Sequence, residues 1–387
     1  MMQIYKGIGT DHCDHEDLID FLNYVFGMNG FDSGFYRLLP KLYRPAFRPE
    51  DHNFIVTEDG KLRAAVGSYP IALSVAGHEL SAAGIGNVAV HPFHRGKGYM
   101  KDCMNMAMRD AVEQGLDFAV LGGRRQRYSY FGFEPAGLCA KFTLEYHNLR
   151  HAWGYKGEPF GYKAERVSPD DADALSAIDG LTRRRPSHPL RPADKLYDTL
   201  NNWESKVCKV LSPDGAFAGY FLATGSVSEI DCVSPDHAVG VIAACFAFMG
   251  KPALDFFIPP YSRAMLDALS DDLSEGMVLT VTENYCVLNY GRVARACLEL
   301  KSQLVPLCDG ELFLDIDGFA GKESLRVSVS GGKPSVEKAE PGKGISLSHR
   351  KAMELLFGPF SHERYMLPAF AQNWFPLPLF VPEVDND

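Results

Sequence analysis

One stretch of the chain, residues 86–100, has the residue types needed to hold a pyrophosphate group. A short β-branched run ends at a Pro turn, a basic turn with two glycines follows, and a helix is predicted to begin directly after it. The N-terminus of a helix presents unpaired N–H donors and a partial positive charge to phosphate oxygens. Gly96 and Gly98 allow the backbone to approach an anion closely, and Arg95 and Lys97 add positive charge. The stretch therefore predicts a diphosphate site built on main-chain amides, with a plain tight turn as the alternative.

The surroundings of this turn do not fit two common nucleotide-binding loops. The turn follows three or four predicted strands, whereas the dinucleotide fingerprint follows the first strand of its fold. Lys97 lies between the two glycines and no Ser or Thr follows it, unlike the lysine of the phosphate loop of NTPases. The sequence therefore predicts an anion-binding turn in an α/β unit of another type.

Hydrophobic periodicity predicts that residues 1–150 form one α/β unit around this turn. Apolar residues at helical spacing alternate with short β-branched runs, and glycines separate the two patterns. The predicted elements are a helix at 14–26, strands at 54–57, 62–69, 70–76 and 79–89, a helix at 100–114, a strand at 118–121, a short helix or turn at 128–133 and a strand at 139–146.

Two further units are predicted at 151–290 and 291–387. The second repeats the element order of the first, but Asp236 stands where the phosphates would lie, so it is predicted to be a degenerate copy that binds no cofactor. Its predicted elements are helices at 170–181, 238–249 and 262–273, a basic, Pro-interrupted loop at 182–192, and strands at 207–211, 219–226 and 253–258. The third unit is predicted to contain helices at 292–300 and 349–357 and strands at 310–316, 323–329 and 335–340.

Composition and short motifs favour some classes of binding partner over others. The formal net charge of −10 disfavours nucleic acid and suits a cationic substrate such as an amine. The 9 cysteines are scattered, without a C-x-x-C pair, which indicates reduced thiols. Because no secretory signal or membrane span is recognisable, we expect a cytoplasmic protein without a membrane partner. No metal site is predicted, since Pro92 between His91 and His94 argues against a helical ligand pair.

Residues 88–100, together with the segment Tyr-Ser-Tyr-Phe-Gly-Phe-Glu-Pro at 128–135, resemble the GNAT N-acetyltransferases. The Arg-Gly-Lys-Gly turn is similar to the acyl-CoA loop of that family, Q/R-x-x-G-x-G/A, and departs from it at Met100, where most members carry Gly or Ala. A bulky residue there resembles the enhanced intracellular survival (Eis) branch. The resemblance implies an α/β (α+β) fold with an active GNAT domain at 1–150, a degenerate GNAT domain at 151–290 and a sterol-carrier-like domain at 291–387. The GNAT domains would have mixed, mostly antiparallel sheets flanked by helices.

The resemblance also implies acetyl-CoA as co-substrate. The residues whose backbone would pair with the pantetheine arm are Val88, Ala89 and Val90. The residues that would bind the pyrophosphate are Arg95, Gly96, Lys97, Gly98, Tyr99 and Met100, and those that would flank the thioester are Gly123 and Arg124.

Acetyl transfer to an amine needs a proton acceptor for the amine and a proton donor for the departing thiolate. Tyr128 matches the general acid of the family, and its alternative role is a packing aromatic. In Eis-type proteins the terminal carboxylate reaches the active site, which implies Asp387 as base. The apolar run at 375–382 predicts a tail docked in a groove, but residues 383–387 offer several carboxylates, and a disordered acidic tail is the alternative.

The resulting prediction is an acetyl-CoA-dependent N-acetyltransferase for a primary amine of a cationic small molecule or a lysine. The alternatives are a non-catalytic acyl-CoA or ligand sensor and a lipid carrier built on the third unit. The family resemblance further implies a homo-oligomer, a dimer or hexamer. The predicted walls of the acceptor pocket are Gly86, Asn87, Phe26, Phe31 and Phe35. For the three aromatics, packing in the core is the alternative, and aromatics of this kind are more often core than pocket.

Overall fold

The computed structural model describes residues 2–6, 13–28, 30, 34–270 and 276–386. Its first part confirms the predicted alternation of helices and strands, and the two strands predicted at 62–76 form one continuous strand. The elements are β1 (Met2–Lys6), α1 (His15–Gly27), α2 (Phe35–Leu38), α3 (Pro40–Tyr43), β2 (Asn53–Glu58), β3 (Lys61–Val75), β4 (His78–Val90), α4 (Tyr99–Glu113), β5 (Phe118–Leu121), α5 (Arg125–Tyr128), β6 (Glu134–Glu145) and α6 (Tyr146–Trp153).

The middle part confirms the helix at 238–249 and the strand at 253–258. The helix predicted at 262–273 is present over 263–270, and residues 271–273 lie outside the described residues. The elements are β7 (Lys163–Arg166), α7 (Ala172–Arg183), β8 (Ser187–Pro189), α8 (Leu196–Leu200), β9 (Lys206–Leu211), β10 (Phe217–Ala223), β11 (Val227–Cys232), α9 (Ala238–Met249), β12 (Ala253–Ile258), α10 (Arg263–Ser270) and β13 (Met277–Val287).

The last part has its own sheet, ordered β16-β15-β14-β17, in which β17 is parallel to β14 and the other pairs are antiparallel. The three strands and two helices predicted here are confirmed. The elements are α11 (Tyr290–Leu304), β14 (Gly310–Asp317), β15 (Lys322–Ser330), β16 (Lys333–Lys338), β17 (Ile345–Ser348), α12 (His349–Leu356), α13 (His362–Tyr365) and α14 (Ala369–Gln372).

The described strands before residue 290 form a single 13-stranded sheet rather than two separate ones. Its order is β1-β2-β3-β4-β5-β13-β6-β12-β11-β10-β9-β7, with β8 paired to β3. Strand β13 lies between β5 and β6 and is antiparallel to both, so a strand from residues 277–287 completes the sheet of the first 145 residues. This mixed sheet flanked by helices confirms the predicted α/β fold class.

Apolar faces bind the layers together. Helix α4 buries one side, including Cys103, Met104 and Ala107, against β2 to β5, as its helical spacing predicts. Beyond α14, the chain runs extended and buries its large side chains in the core shared with the last part. Full burial of an apolar side chain contributes about 1.5–3 kcal/mol, so this tail is firmly held. Its buried apolar residues are Trp374, Phe375, Leu377, Leu379, Phe380, Val381 and Val384.

Candidate active site

The site begins where two parallel strands separate. The ladder between β4 and β5 covers residues 82–84 of β4, and within the described residues no further pairing joins the two strands. Strand β4 continues to Val90 against β3 alone. Backbone groups of β4 that face β5 beyond Gly84 therefore lack a ladder partner and are available to an extended ligand.

A β-bulge in β4 lies just beyond the point of separation. Asn87 has a φ of 41°, and the register between β3 and β4 shifts at the same place. The Asn87 amide donates to Oδ1 of Asn53 at 2.7 Å, and the Asn53 amide donates to the Tyr69 hydroxyl at 2.9 Å. A Cβ on Gly67 would lie 2.1 Å from Oδ1 of Asn87, so only glycine fits there. Buried hydrogen bonds thus hold the bulge in place.

The glycine turn has the predicted form. Gly96 and Gly98 have φ values of 81° and 88°, which favour glycine. Gly98 is the N-cap of α4, and no side chain caps this end of the helix. The first amides of α4 are therefore free of a capping oxygen, which leaves donors for an anion.

A cleft of about 950 Å³ joins the separated strands, the glycine turn and the end of β5. Most of the predicted site residues line it, so the two motifs lie side by side in the structure. These residues are Phe26, Val88, Val90, Arg95, Gly96, Gly98, Tyr99, Met100, Gly123, Arg124 and Tyr128.

Other predicted residues lie elsewhere. Lys97 turns away to pair with Glu58 at 3.0 Å, so the structure places this ammonium outside the cleft lining. Ala89 is buried on the opposite face of β4 and Phe35 is packed in the core of the first helices. Gly86 and Asn87 are buried at the bulge rather than lining the cleft. Phe31 and Asp387 lie outside the described residues.

Two cationic side chains of the cleft, Lys101 and Arg127, are not among the residues that the sequence predicts for the site. Lys101, in the first turn of α4, lies 4.9 Å from the centre of the Tyr130 ring. Arg127 lies on α5 and hydrogen-bonds Tyr128. The basic run at 124–127 was a usable signal, because it directly follows the glycines at the end of β5. With Arg95 and Arg124 they give the cleft a positive lining that suits an anionic ligand.

Tyr128 is a buried titratable side chain of the cleft lining. It is 6% exposed, and burial raises its pKa above the usual value, although Arg127 opposes the shift. The hydroxyl is therefore protonated at neutral pH and can donate. A Cβ on Gly123 would lie 3.1 Å from the Tyr128 ring, so the end of β5 passes directly beside it.

The loop that carries Tyr128 is fixed from two sides. Arg125 donates twice to one carboxylate oxygen of the buried Glu134, at 2.8 and 2.6 Å. Nε2 of His349, at the start of α12, lies 2.7 Å from the carbonyl oxygen of Gly132. Burial lowers the pKa of His349, so the neutral ring donates to that carbonyl. The last part of the chain thus helps to hold the loop.

The last described residues of the tail are held by side chains from three other segments of the chain. Arg191 donates to both carboxylate oxygens of Asp385, at 2.9 and 2.7 Å. The ammonium of Lys41 donates to the backbone oxygens of Asp385 and Asn386, at 2.6 and 3.2 Å. The Asn386 side chain hydrogen-bonds Glu283 of β13, whose carboxyl lies next to Gly122 at the end of β5. The tail is thus held by hydrogen bonds up to its last described residue, Asn386.

One part of the chain matches a known protein family. Residues 10–136 match the sequence model of the acetyltransferase (GNAT) domain. The matched segment contains the bulge, the glycine turn and Tyr128. No curated protein sequence matches the chain significantly.

Solved structures are similar in fold to most or nearly all of the chain. A probable N-acyltransferase from Enterococcus faecalis V583 has a TM-score of 0.67 at 16% identity, over 99% of this chain and 97% of the other. A GCN5-related N-acetyltransferase from Anabaena variabilis has a TM-score of 0.66 at 15% identity, over 99% and 98%. Eis1 from Mycobacterium abscessus has a TM-score of 0.59 at 14% identity, over 90% and 87%. At these identities the likeness shows a shared fold.

The described residues include no helix that is both long and apolar enough to cross a membrane. They contain no group of three or more His, Cys, Asp or Glu side chains arranged to hold a metal ion.

Proposed function

We propose that the protein is an acetyl-CoA-dependent N-acetyltransferase that acts on a primary amine of a cationic small molecule or of a lysine. The observation that carries the proposal is the convergence of three features on one cleft. These features are the unpaired edge of β4, the uncapped N-terminus of α4 and the buried Tyr128. An extended arm ending in a diphosphate fits the first two, because one offers ladder groups and the other offers amides.

The residues of the cleft divide the work. Acetyl-CoA, when bound, would supply the acetyl group as a thioester. The amides of residues 96–100 hold the diphosphate, with Arg95 beside them. Tyr128 gives its proton to the departing sulfur, which is the role that a buried, protonated phenol can fill. The terminal carboxylate of Asp387, next to the docked Asn386, is a candidate proton acceptor.

The proposal also assigns the parts of the chain. Residues 1–150 form the catalytic GNAT unit, residues 151–290 a degenerate copy and residues 291–387 a sterol-carrier-like unit. Two contacts support a catalytic contribution from the later parts. They are the bond of His349 to Gly132 and the bond of the tail to Glu283.

A direct test measures thiol release from acetyl-CoA with a panel of polyamines, aminoglycosides and lysine peptides. We expect turnover with at least one amine class and a matching mass increase of the acceptor. Tight CoA binding without turnover on any amine would favour the sensor alternative. Absence of measurable CoA affinity would contradict the proposal altogether.

The glycine turn gives a sharper test. We expect Gly98→Ala to weaken CoA affinity at least about tenfold by calorimetry, because a Cβ then stands before the amides and opposes the left-handed backbone. Gly115→Ala is the matched control. Gly115 follows the other end of α4, has a φ of 69° and, like Gly98, has open space around its Cβ position. Both variants should lose similar stability, and equal CoA affinity in the two would argue against the turn as the diphosphate site.

A further inference from the structure

Glu283 lies beside the end of β5, where Gly122 precedes Gly123 of the cleft lining. Strand β13 pairs Asn284 with Leu121, so Glu283 lies opposite the point where β5 ends. One of its carboxylate oxygens is 3.4 Å from the Cβ position of Gly122. Successive side chains of a strand point to opposite faces. Glu283 therefore lies on the same face of the sheet as Tyr285, and Asn284 and Cys286 lie on the other face.

Core packing identifies these two faces. Cys286 belongs to the cluster that contains Tyr128 and Phe131. Tyr285 belongs to the cluster that contains the tail, and its hydroxyl accepts a hydrogen bond from the Val381 amide at 3.1 Å. Because Glu283 shares the face of Tyr285, it approaches the end of β5 from the tail side. A reacting group beside Gly122 and Gly123 would thus lie between a phenol and a carboxyl.

The surroundings of Glu283 are those of a reactive carboxyl rather than a structural one. Within the described part of the chain, no Lys or Arg forms an ion pair with it. By contrast, Arg191 and Arg185 hold the buried Glu229 ionised, at a pKa of about 2 despite its desolvation. The pKa of Glu283 is raised to about 7, mainly by burial and in part by the neighbouring Glu383, while the hydrogen bond from Asn386 opposes the rise. A base with such a pKa is half-ionised near neutral pH.

A second observation points to a cationic ligand at this place. The Asn386 side chain is 3% exposed and donates to Glu283, but its Oδ1 has no hydrogen-bond partner among the described residues. A buried amide oxygen without a donor costs free energy. Asn386 therefore leaves one acceptor unsatisfied next to Glu283, and the carboxylate of Glu283 is the group that can accept from an ammonium.

We propose that Glu283 is a catalytic residue, the group that binds the acceptor ammonium and takes its proton. The inference rests on the proposed N-acetyltransferase function. It names a base within the sheet in addition to the terminal carboxylate of Asp387.

The proton balance of the step is complete. In going from ammonium to amide, the acceptor nitrogen loses two protons. Glu283 takes one and passes it to solvent, and the nitrogen forms its bond to the acetyl carbon as the carbon–sulfur bond breaks. Tyr128 gives its proton to sulfur, and the second nitrogen proton restores the phenol through solvent. One proton therefore ends on the thiol and one in water.

The kinetic test is Glu283→Gln in the full-length protein. We expect kcat to fall about 10²-fold, the usual contribution of a positioned base, with CoA affinity within about threefold of wild type. The rise of wild-type kcat/KM with pH around 7 should disappear. Removal of Asp387 should leave that rise in place. If Glu283→Gln keeps wild-type turnover, or if only the Asp387 deletion removes the rise, the inference is overturned while the proposed function stands. A wild-type protein that acetylates no amine would instead overturn the proposed function.

Glu383→Gln is the matched control. Glu383 belongs to the tail, lies near Glu283 of β13, and its negative charge raises the pKa of Glu283. This variant should keep kcat within about threefold and move the acidic limb of the profile to lower pH. An unmoved limb would contradict the assignment of that limb to Glu283. Tyr285 is the other titratable group that faces Glu283, and burial keeps it protonated throughout this range.

A readout without CoA checks the same group. The pKa of Glu283 is higher in the folded protein than its unfolded value of about 4.5, so its contribution to stability is present below pH 4.5 and lost as pH rises through 7. The melting temperature of wild type should therefore fall relative to that of Glu283→Gln between pH 5 and 8. Parallel melting curves for the two proteins would show that Glu283 does not titrate here. If Glu283→Gln fails to fold, two other variants replace it. Glu283→Asp should lower kcat, and Glu383→Gln should move the acidic limb of the kcat/KM profile to lower pH.

Discussion

Replacement of Tyr128 by Phe is expected to lower kcat by about 10²- to 10⁴-fold while leaving CoA affinity unchanged. The substitution removes one hydroxyl from a ring that is 6% exposed and keeps the ring packed against Gly123. What is lost is the proton donor for the departing thiolate and the hydrogen bond from Arg127. Steady-state kinetics and CoA calorimetry on the same preparation would separate chemistry from binding.

The neighbouring tyrosine of the motif is the control for this prediction. Tyr130 is 66% exposed and its ring lies beneath Lys101, so Tyr130→Phe removes a hydroxyl from the surface of the same loop. Its turnover should stay within about twofold of wild type. Equal losses in the two variants would mean that the loop was disturbed, and an unchanged kcat in Tyr128→Phe would remove Tyr128 from the mechanism.

The glycine turn was predictable because its structure is encoded locally. Gly96, Gly98 and the apolar face of α4 lie within one short segment, and each feature follows from backbone sterics or helical spacing. The Tyr128 loop was reached in the same way, through the glycines that end β5 and the aromatic motif that follows. Local signals of this kind need no knowledge of which strands pair.

Glu283 could not be found in that way, because its position depends on long-range pairing. Strand β13 is more than a hundred residues beyond β5 in sequence, and its segment mixes apolar residues with Thr, Glu and Asn. Nothing in that pattern states that the strand enters the sheet between β5 and β6. The proposed role of the carboxyl depends on its contacts with Gly122 and Asn386, which are distant in sequence and come together only in the fold.

The tail shows the same division. The apolar run at 375–382 predicts burial, and the structure confirms it. The polar residues that anchor its end come from distant segments, with Arg191 from a loop predicted only as basic and Pro-interrupted and Lys41 from α3. Charge and composition do not specify such partners, because the sequence alone does not show whether an arginine is buried or lies on the surface.

Loss of the Arg191 anchor is expected to have the largest effect on stability. The Arg191 guanidinium is buried and donates to Asp385 at 2.7 and 2.9 Å and to Glu229 at 2.8 Å. Arg191→Met fills a similar volume but leaves the Asp385 carboxylate buried without its cation. Removing one partner of a buried pair costs about 3–5 kcal/mol. Chemical unfolding at neutral pH measures this loss directly.

The same variant should also lower turnover, because Asp385 directly precedes Asn386, which contacts Glu283. Arg263→Met is the control, since the side chain of Arg263 is 82% exposed in its pair with Asp267 and such surface pairs contribute about 0–1 kcal/mol. The arrangement predicts that stability and kcat fall together in Arg191→Met and that neither falls in Arg263→Met. If Arg191→Met were destabilised yet fully active, the docked tail would support the fold without serving the chemistry, and the contact of Asn386 with Glu283 would have no catalytic weight.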